Sequence, residues 1–221
     1  MTEITTLSLT RHGEAHCNLA GLVGGEKTCT GLTERGEEQV RLLGARLRRE
    51  QENGSRVDVL CCAPRRRVVE TARILGSALG LKEQVDCGLD GPRHGEAEGR
   101  AWKQVIAEFG GTPHSDPDRP YAPGSESWNQ YLARATGSLT RLLAAHAGQH
   151  ILIAGHNETI EAACALLLGL PADASTRVRF GATHASLVRW RMQRGRLGQE
   201  MWMLTDFNDT RHLHDPAAEY V

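Results

Sequence analysis

Short apolar runs alternate with amphipathic helical patterns along this chain, and this alternation limits the possible folds more than any other feature. The run Ile151–Ala154 is apolar without interruption, as expected for a strand that is buried on both faces. Two other extended runs, Ile4–Thr10 and Val57–Cys62, are each followed by a helical pattern. Strands and helices in this order form a parallel sheet with helices on both faces. We therefore predict an α/β fold, a three-layer α/β/α sandwich with a mostly parallel central sheet.

Four helical patterns accompany these strands. The first begins after Thr33, whose hydroxyl can cap the helix, and acidic residues in its first turn interact favourably with the helix dipole. The second ends before Gly80, the third extends from Glu126 to His146, and the fourth extends from about Glu158 to Leu168. These boundaries predict that strands and helices alternate regularly along this part of the chain.

The last part of the chain has a different pattern. The segments Ser186–Met192 and Met201–Asp206 alternate like strands, and glycines lie between them, so we predict a hairpin. The tail after the hairpin contains His212 and His214 in polar surroundings. We expect both of these histidines, and His114, to be solvated.

The segment from about residue 91 to 124 interrupts the alternation. It holds five of the eight prolines and has only a short helical pattern around Trp102 and Val105. A chain of 221 residues, 40% of them hydrophobic, is long enough for one domain with an additional piece and short for two. We predict a single domain over residues 1–221 with an inserted lid subdomain at about 91–124.

The charge balance excludes several classes of partner. Lysine and arginine total 26 and aspartate and glutamate total 27, so a net charge of -1 creates no general attraction for nucleic acid or an anionic membrane. No apolar run reaches the roughly 18 residues that span a bilayer, and a cytoplasmic location is expected. The six cysteines lack the spacing of a disulfide framework or a zinc site, so reduced thiols are expected. No metal or other cofactor is predicted.

Side chains suited to phosphate chemistry follow three of the predicted strands. Arg11 and His12 follow the first strand, Arg65–Arg67 follow the second, and His156 follows the strand at Ile151–Ala154. Ligands of a parallel sheet bind outside the carboxyl ends of its strands, so we expect these side chains to meet at one edge. An imidazole can attack phosphorus while guanidinium groups bind the phosphoryl oxygens. The residues therefore favour a phosphoryl-transfer site.

The tripeptide Arg11–Gly13 is the first of an ordered series of short motifs. The others are Glu14 with Asn18, Leu32–Gly36, Pro64, Arg67, Glu70–Ala72, Gly95–Gly99, Pro123–Ser127 and Gly155–His156. Their order and spacing, from about residue 6 to residue 190, resemble those of the histidine phosphatase superfamily, also called the phosphoglycerate mutase-like family. The mark of that family is an Arg-His-Gly tripeptide after the first strand. The resemblance implies an enzyme that forms a phosphohistidine.

The resemblance also implies roles for the matching residues. His12 resembles the nucleophile that becomes phosphorylated. Arg11, Arg67 and His156 resemble the cationic pocket around the phosphoryl group, and Asn18 resembles a further phosphate or substrate contact. None of these roles requires a metal.

Three other residues are candidates for binding the rest of the substrate. Arg65 stands where the family usually has an apolar residue, so it is expected either to be solvated or to reach an extra acidic group on the substrate. Arg93 and His94, in the predicted lid, are expected near the mouth of the site. They suggest an anionic or hydroxyl-rich substrate.

The acid that protonates the leaving group departs from the family pattern. Relatives carry a glutamate two residues after the leucine that matches Leu89, and this chain has Gly91 there. In the acid phosphatase and phytase branch an aspartate directly follows the second histidine, and that position is Asn157. We predict Glu158 as the acid, with Asp90 as second choice. The alternative for Glu158 is a structural role as an acidic residue at a helix start.

These observations predict a metal-independent phosphohydrolase that cleaves a phosphate monoester of a small metabolite through a phosphohistidine. One alternative is a phosphoglycerate mutase-like phosphotransferase. Another is a catalytically weak binding module, a pseudo-phosphatase that lost the usual acid at Gly91, and a different reaction on a phosphorylated compound is a third. The expected partner is a small phosphorylated metabolite. The oligomeric state, including a homodimer, is left open.

Overall fold

A six-stranded sheet with the order β3-β2-β4-β1-β5-β6 forms the centre of the computed structural model, which describes residues 4–214. The strands are β1 (Thr6–Arg11), β2 (Val59–Cys62), β3 (Gln84–Val85), β4 (His150–Gly155), β5 (Leu187–Arg194) and β6 (Glu200–Asp209). Strands β1 to β4 pair in parallel, β5 pairs antiparallel to β1, and β6 pairs antiparallel to β5. The predicted mostly parallel sheet and the late hairpin are confirmed.

Six α-helices lie within the described residues. They are α1 (His16–Leu19), α2 (Glu34–Glu52), α3 (Arg66–Leu79), α4 (Trp102–Phe109), α5 (Trp128–Ala145) and α6 (Asn157–Leu168). The hydroxyl of Thr33 accepts a hydrogen bond from the Gly36 N–H at 3.0 Å, which is the predicted cap of α2. Helix α5 begins two residues later than predicted because Ser127 caps it through the Gln130 N–H.

Consecutive residues of β4 face two separate cores. In β4, Ile151 and Ile153 pack in a core that includes Trp128 of α5, whereas Leu152 packs in a second core that includes Leu43 of α2. Alternation of this kind requires helices on both faces of the sheet. The three-layer α/β/α arrangement is therefore confirmed.

The segment from residue 91 to 124 contains α4 and helps to form a small apolar core. Val105 of α4 and Ala97 and Ala122 of this segment are buried together with Val23. A role for this segment as a lid stays a prediction. None of the helices in residues 4–214 is long and apolar enough to cross a membrane.

Two of the three histidines that were expected to be solvated are not. His212 is buried, and its Nε2 lies 2.9 Å from the carbonyl oxygen of Ala185. His114 packs on Trp128, with ring centroids 3.9 Å apart. Both predictions were wrong because the covering groups come from distant parts of the chain, which local polarity does not reveal. His214 is exposed as predicted.

Candidate active site

The ends of β1 and β4 place two histidines side by side. Arg11 is in register with Gly155, and the backbone N–H of His12 donates to the Gly155 carbonyl at 2.9 Å. His12 and His156 both follow these paired strand ends, and their ring centroids are 5.5 Å apart with a nearly perpendicular orientation of 75°. Both rings are almost fully buried.

Gly13 allows the start of α2 to pack directly against the nucleophile candidate. A Cβ atom at this position would lie 2.3 Å from the carbonyl oxygen of Gly36, a distance that no larger residue could accept without moving the helix. The Gly13 N–H also points to the hydroxyl of Thr71 in α3, 3.3 Å away. The glycine of the Arg-His-Gly motif therefore has a local steric cause.

Arg67, in the first turn of α3, connects the two histidines. Its Nε donates to His12 Nε2 at 3.0 Å, and its Nη2 lies 3.4 Å from His156 Nδ1. On the other side of the ring, His12 Nδ1 lies 2.7 Å from the Gly13 carbonyl, so Nδ1 carries the proton. This tautomer leaves the lone pair on His12 Nε2, the atom that accepts from Arg67 Nε.

Burial and positive neighbours keep both histidines neutral. Burial lowers the pKa of His12 well below its usual range, and the charges of Arg67 and Arg11 and the ring of His156 lower it further. The pKa of His156 is lowered in the same way, first by burial and then by the arginines around it. A neutral imidazole with a free nitrogen is the form that can attack phosphorus.

Several side-chain nitrogens in and beside the site are buried without a hydrogen-bond partner in the described part of the chain, and three of them belong to residues of the predicted phosphoryl pocket. These three are Arg11 Nε, Arg67 Nη1 and His156 Nε2. Burying such donors without partners is costly, and most buried polar groups in proteins are paired. An anion with several oxygens, such as a phosphoryl group, would satisfy all three.

Arg65 is buried beside this pocket, so the expectation of a solvated side chain was wrong for it. Its Nη1 donates to the Gly24 carbonyl at 2.8 Å and its Nη2 donates to the Pro92 carbonyl at 2.7 Å. Its Nε lies 2.8 Å from Oδ1 of Asp90. These acceptors turn the Arg65 side chain inward. They belong to two loops, and the local sequence does not show that these loops lie near Arg65. Its predicted contact with an acidic substrate group stays a prediction.

The guanidinium of Arg65 occupies the space beside Gly91. A Cβ atom at residue 91 would lie 3.1 Å from Arg65 Nη1 and 3.2 Å from Cδ2 of His156. A larger side chain at this position would therefore need Arg65 to move. Asp90, the neighbour of Gly91, directs Oδ1 toward His156, 3.6 Å from Nε2.

Glu158 lies in the first turn of α6 and is half-buried. Burial raises the pKa of Tyr121, and the charge of Glu158 contributes to that rise. Burial also lowers the pKa of Arg11, an effect that Glu158 opposes. Its charge thus acts on Arg11 and on Tyr121 of the segment of residues 91–124. No hydrogen bond engages its carboxylate within residues 4–214.

The other predicted binding residues lie in different environments. Asn18 is exposed, and its side chain accepts from a backbone N–H of its own turn at 3.1 Å. Arg93 is exposed as well. His94 is buried, with Nδ1 2.8 Å from the Tyr121 hydroxyl, and burial together with Arg65 and Arg67 lowers its pKa to about 3. His94 is therefore neutral and close to the arginines of the site.

Two features of the site were not predicted. The ring of His184 lies 5.6 Å from that of His12, and the Gly24 carbonyl accepts from both Arg65 and Arg67. His184 precedes β5, which runs antiparallel to β1, so its beginning lies at the edge where β1 ends. Reading the starts of antiparallel strands as well as the ends of parallel ones would have found it. The Gly24 carbonyl has no comparable signal, because a backbone acceptor can belong to any residue.

Comparison with known proteins gives matches along almost the whole chain. The histidine phosphatase superfamily (branch 1) matches residues 7–204. A relative from Yersinia pestis, named "Probable phosphoglycerate mutase GpmB", is 28% identical over 219 residues, which cover 96% of each chain. The alpha-ribazole phosphatase from Shigella flexneri has a similar structure, with 25% identity, a TM-score of 0.76, and coverage of 93% of this chain and 96% of that one.

A mycobacterial glucosyl-3-phosphoglycerate phosphatase in complex with VO3 has the same fold. Its TM-score is 0.78 at 23% identity, with coverage of 92% of this chain and 99% of that one. The superfamily match includes the two strand ends that carry His12 and His156, and the α3 turn that carries Arg67. This chain belongs to the histidine phosphatase superfamily.

Proposed function

We propose that this protein is a metal-independent phosphohydrolase that cleaves a phosphate monoester of a small metabolite through a phosphohistidine at His12. The observation that carries the proposal is the group of buried, unpartnered donors around His12 Nε2, on Arg11, Arg67 and His156. These donors belong to residues beside a neutral imidazole whose unprotonated nitrogen, Nε2, accepts from Arg67 Nε at 3.0 Å. Such an arrangement supplies both a nucleophile and the positive charge that a phosphoryl group requires.

In the first step, the hydrogen bond from Arg67 Nε to His12 Nε2 gives way to the substrate, the lone pair of Nε2 attacks phosphorus and a P–N bond forms. The P–O bond to the substrate alcohol breaks, and its electron pair remains on the alcohol oxygen. Arg11 and Arg67 bind the phosphoryl oxygens and stabilise the charge on them during the transfer. The leaving oxygen takes a proton from the carboxylic acid of Glu158.

In the second step, water attacks the phosphohistidine. Glu158, now a carboxylate, takes a proton from that water as the P–N bond breaks and inorganic phosphate forms. His12 returns to its neutral form. General acid–base catalysis of this kind contributes about 10²- to 10⁴-fold to the rate.

Glu158 is favoured over Asp90 because of their different contacts. Asp90 Oδ1 is engaged by Arg65 Nε at 2.8 Å and by the Gly91 N–H at 2.8 Å. Glu158 has no hydrogen bond within residues 4–214, and its charge acts on Tyr121 and Arg11. Its carboxyl group is therefore available to a bound substrate.

A mutase is the second candidate, and the 28% identity to a relative named as a phosphoglycerate mutase supports it. A mutase would return the phosphoryl group from His12 to another hydroxyl instead of giving it to water. A binding module is the third candidate, because a glycine stands at position 91 and the neighbouring space is filled by Arg65.

The experiment that separates these candidates is product analysis with a panel of small alkyl phosphates. A phosphohydrolase releases inorganic phosphate, a mutase yields an isomeric phosphate ester, and a binding module retains substrate without either product. His12→Ala should abolish turnover. His16→Ala is the matched control, since His16 is exposed and lies four residues further along the chain. Isomerisation without phosphate release would refute the hydrolase proposal, and so would binding without turnover.

The choice of acid is tested by comparing leaving groups. p-Nitrophenolate needs little protonation when it leaves, whereas an alkoxide needs a proton. Glu158→Gln is expected to lose about 10²-fold or more on alkyl phosphates and much less on p-nitrophenyl phosphate. Asp90→Asn should show no such selective loss. The reverse result would assign the acid to Asp90, and no selective loss in either variant would remove both carboxylates from this role.

A further inference from the structure

Asn157 directly follows His156, yet its side chain bonds to the segment that precedes β5. The Ala182 N–H donates to Asn157 Oδ1 at 2.7 Å. The carbonyl of the same residue, Ala182, accepts from Arg11 Nη1 at 2.8 Å. Ala182 is buried, so its peptide groups depend on these partners. The three residues therefore form a hydrogen-bonded connection from α6 to a guanidinium of the phosphoryl pocket.

The amide of Asn157 is held in one orientation by Glu161. Asn157 Nδ2 donates to Glu161 Oε1 at 2.6 Å, and Glu161 is 5% exposed. Arg179 donates to the same carboxylate, with Nε 3.0 Å from Oε2 and Nη2 2.9 Å from Oε1. A backbone N–H can only donate and an ionised carboxylate can only accept, so the residue between Ala182 and Glu161 must offer both an acceptor and a donor. An asparagine meets this requirement and an aspartate does not.

We propose that Asn157, oriented by Glu161, is a positioning residue that fixes the Ala182 carbonyl and thereby directs Arg11 into the phosphoryl pocket. With Nη1 held by Ala182, the buried Nε of Arg11 is one of the donors without a partner in the described residues. A fixed guanidinium loses less entropy when it binds an oxyanion, and a displacement of about 1 Å can cost roughly 10²-fold in rate. The inference rests on the proposed function in that Arg11 binds the phosphoryl group.

The same contacts disfavour an ionised aspartate at position 157. An aspartate there would place a second carboxylate at hydrogen-bond distance from Glu161. Two like charges this close repel each other in a buried environment. The residue at 157 is thus committed to holding Arg11 and has no role in protonating the leaving group.

The test moves the negative charge from position 161 to position 157. Asn157→Asp removes the only donor toward Glu161 from this side chain and is expected to weaken binding of orthovanadate, measured by calorimetry, about tenfold or more. In the double variant Asn157→Asp with Glu161→Gln, the glutamine amide can donate to the new aspartate, and the aspartate still accepts from Ala182. The double variant should recover most of the orthovanadate affinity and of kcat. Asn157→Ala should lose affinity and should not be rescued by Glu161→Gln.

Asn129→Asp is the matched control, because Asn129 Nδ2 donates to Asp118 Oδ1 at 2.7 Å on the surface, far along the chain from Arg11. It creates the same pair of carboxylates and should leave orthovanadate affinity unchanged. Urea unfolding of every variant accompanies the binding data. If the double variant regains stability without regaining affinity, or if Asn157→Asp and Asn157→Ala both bind orthovanadate like the unmodified protein, the positioning role is refuted.

The outcome also separates this inference from the proposed function. If the unmodified protein binds orthovanadate but does not turn over substrate, the hydrolase proposal is refuted. The comparison of Asn157→Asp with the double variant would still test whether Asn157 positions Arg11. Normal turnover with no effect of Asn157→Asp or Asn157→Ala would refute the positioning role alone. Failure of the unmodified protein to bind orthovanadate would refute both.

Discussion

Replacing Arg65 with methionine removes a buried guanidinium while keeping most of the side-chain volume. The change removes the hydrogen bond to the Pro92 carbonyl, 2.7 Å long, and the ion-pair contact with Oδ1 of Asp90 at 2.8 Å. The Gly24 carbonyl keeps a donor, since Arg67 Nη2 also contacts it at 3.2 Å. The loss should therefore come mainly from two groups rather than three.

The magnitude follows from the burial of these groups. Breaking a buried ion pair by removing one partner costs about 3–5 kcal/mol, and an unpaired buried carbonyl costs about 1–3 kcal/mol. The side chain of Asp90 is 17% exposed and also accepts from the Gly91 N–H, so water and the backbone recover part of this cost. We expect the free energy of unfolding to fall by about 3–5 kcal/mol.

Urea unfolding followed by circular dichroism measures this loss, and the adjacent arginine provides the control. Arg66 has a side chain that is 65% exposed and pairs with Glu70 one turn later on α3. Exposed pairs of this spacing contribute about 0.3–0.5 kcal/mol, so Arg66→Met should change the unfolding free energy by no more than that. If both variants lose a similar amount, below about 1 kcal/mol, the assignment of Arg65 as a buried connector of the two loops is refuted.

Three further predictions concern the same site and its surroundings. Gly91→Glu should weaken orthovanadate binding, because its Cβ would lie 3.1–3.2 Å from Arg65 and His156, and the double variant with Arg65→Ala should bind better than Gly91→Glu alone; calorimetry compares them. EDTA should not reduce activity, since arginines supply the positive charge and no group of three or more potential metal-ligating side chains occurs in residues 4–214; restoration by a divalent ion after loss in EDTA would contradict this. Stability should fall with decreasing pH below about 6.5, because burial lowers the pKa of His94 to about 3 and of His150 to about 4. The unfolded chain binds protons there that the folded chain does not, so the unfolding free energy from urea titrations should be constant above about pH 7 and decrease toward pH 4, and a flat profile would refute the assigned neutral state.

The arrangement of strands and helices could be predicted because each element carries its own signal. Ile151–Ala154 is apolar on both faces, and Thr33 has the chemistry of a helix cap. The carboxyl ends of parallel strands meet at one edge, so the positions of His12 and His156 followed once the strands were recognised.

Which of the three consecutive arginines are buried could not be predicted from the residue type, because all three have the same side chain. Arg65 is the extended N-cap residue of α3, and Arg66 and Arg67 are its first two residues, with side chains about 100° apart around the helix. Tertiary contacts decide which of the three are buried. Acceptors on Gly24 and Pro92 turn Arg65 inward, and His12 does the same for Arg67. These acceptors belong to loops whose path no local pattern reveals.

The hydrogen-bond partners of Asn157 could not be predicted from the sequence either. Asn157 directly follows His156 in the sequence, and its partners in the structure are Ala182 and Glu161. Ala182 lies 25 residues further along the chain, in the segment before β5. A sequence can show that a polar residue departs from a pattern, but its hydrogen-bond partners depend on the packing of distant segments.

The most direct test of the central claim is to trap the phosphorylated protein. A small phosphate ester labelled with ³²P is mixed with the protein, the reaction is stopped within milliseconds by alkali, and labelled peptides are identified by mass spectrometry. A phosphohistidine at His12 is expected, stable in alkali and lost in acid, and absent from His12→Ala. Equal labelling of His12→Ala, or label on another residue, would contradict the account.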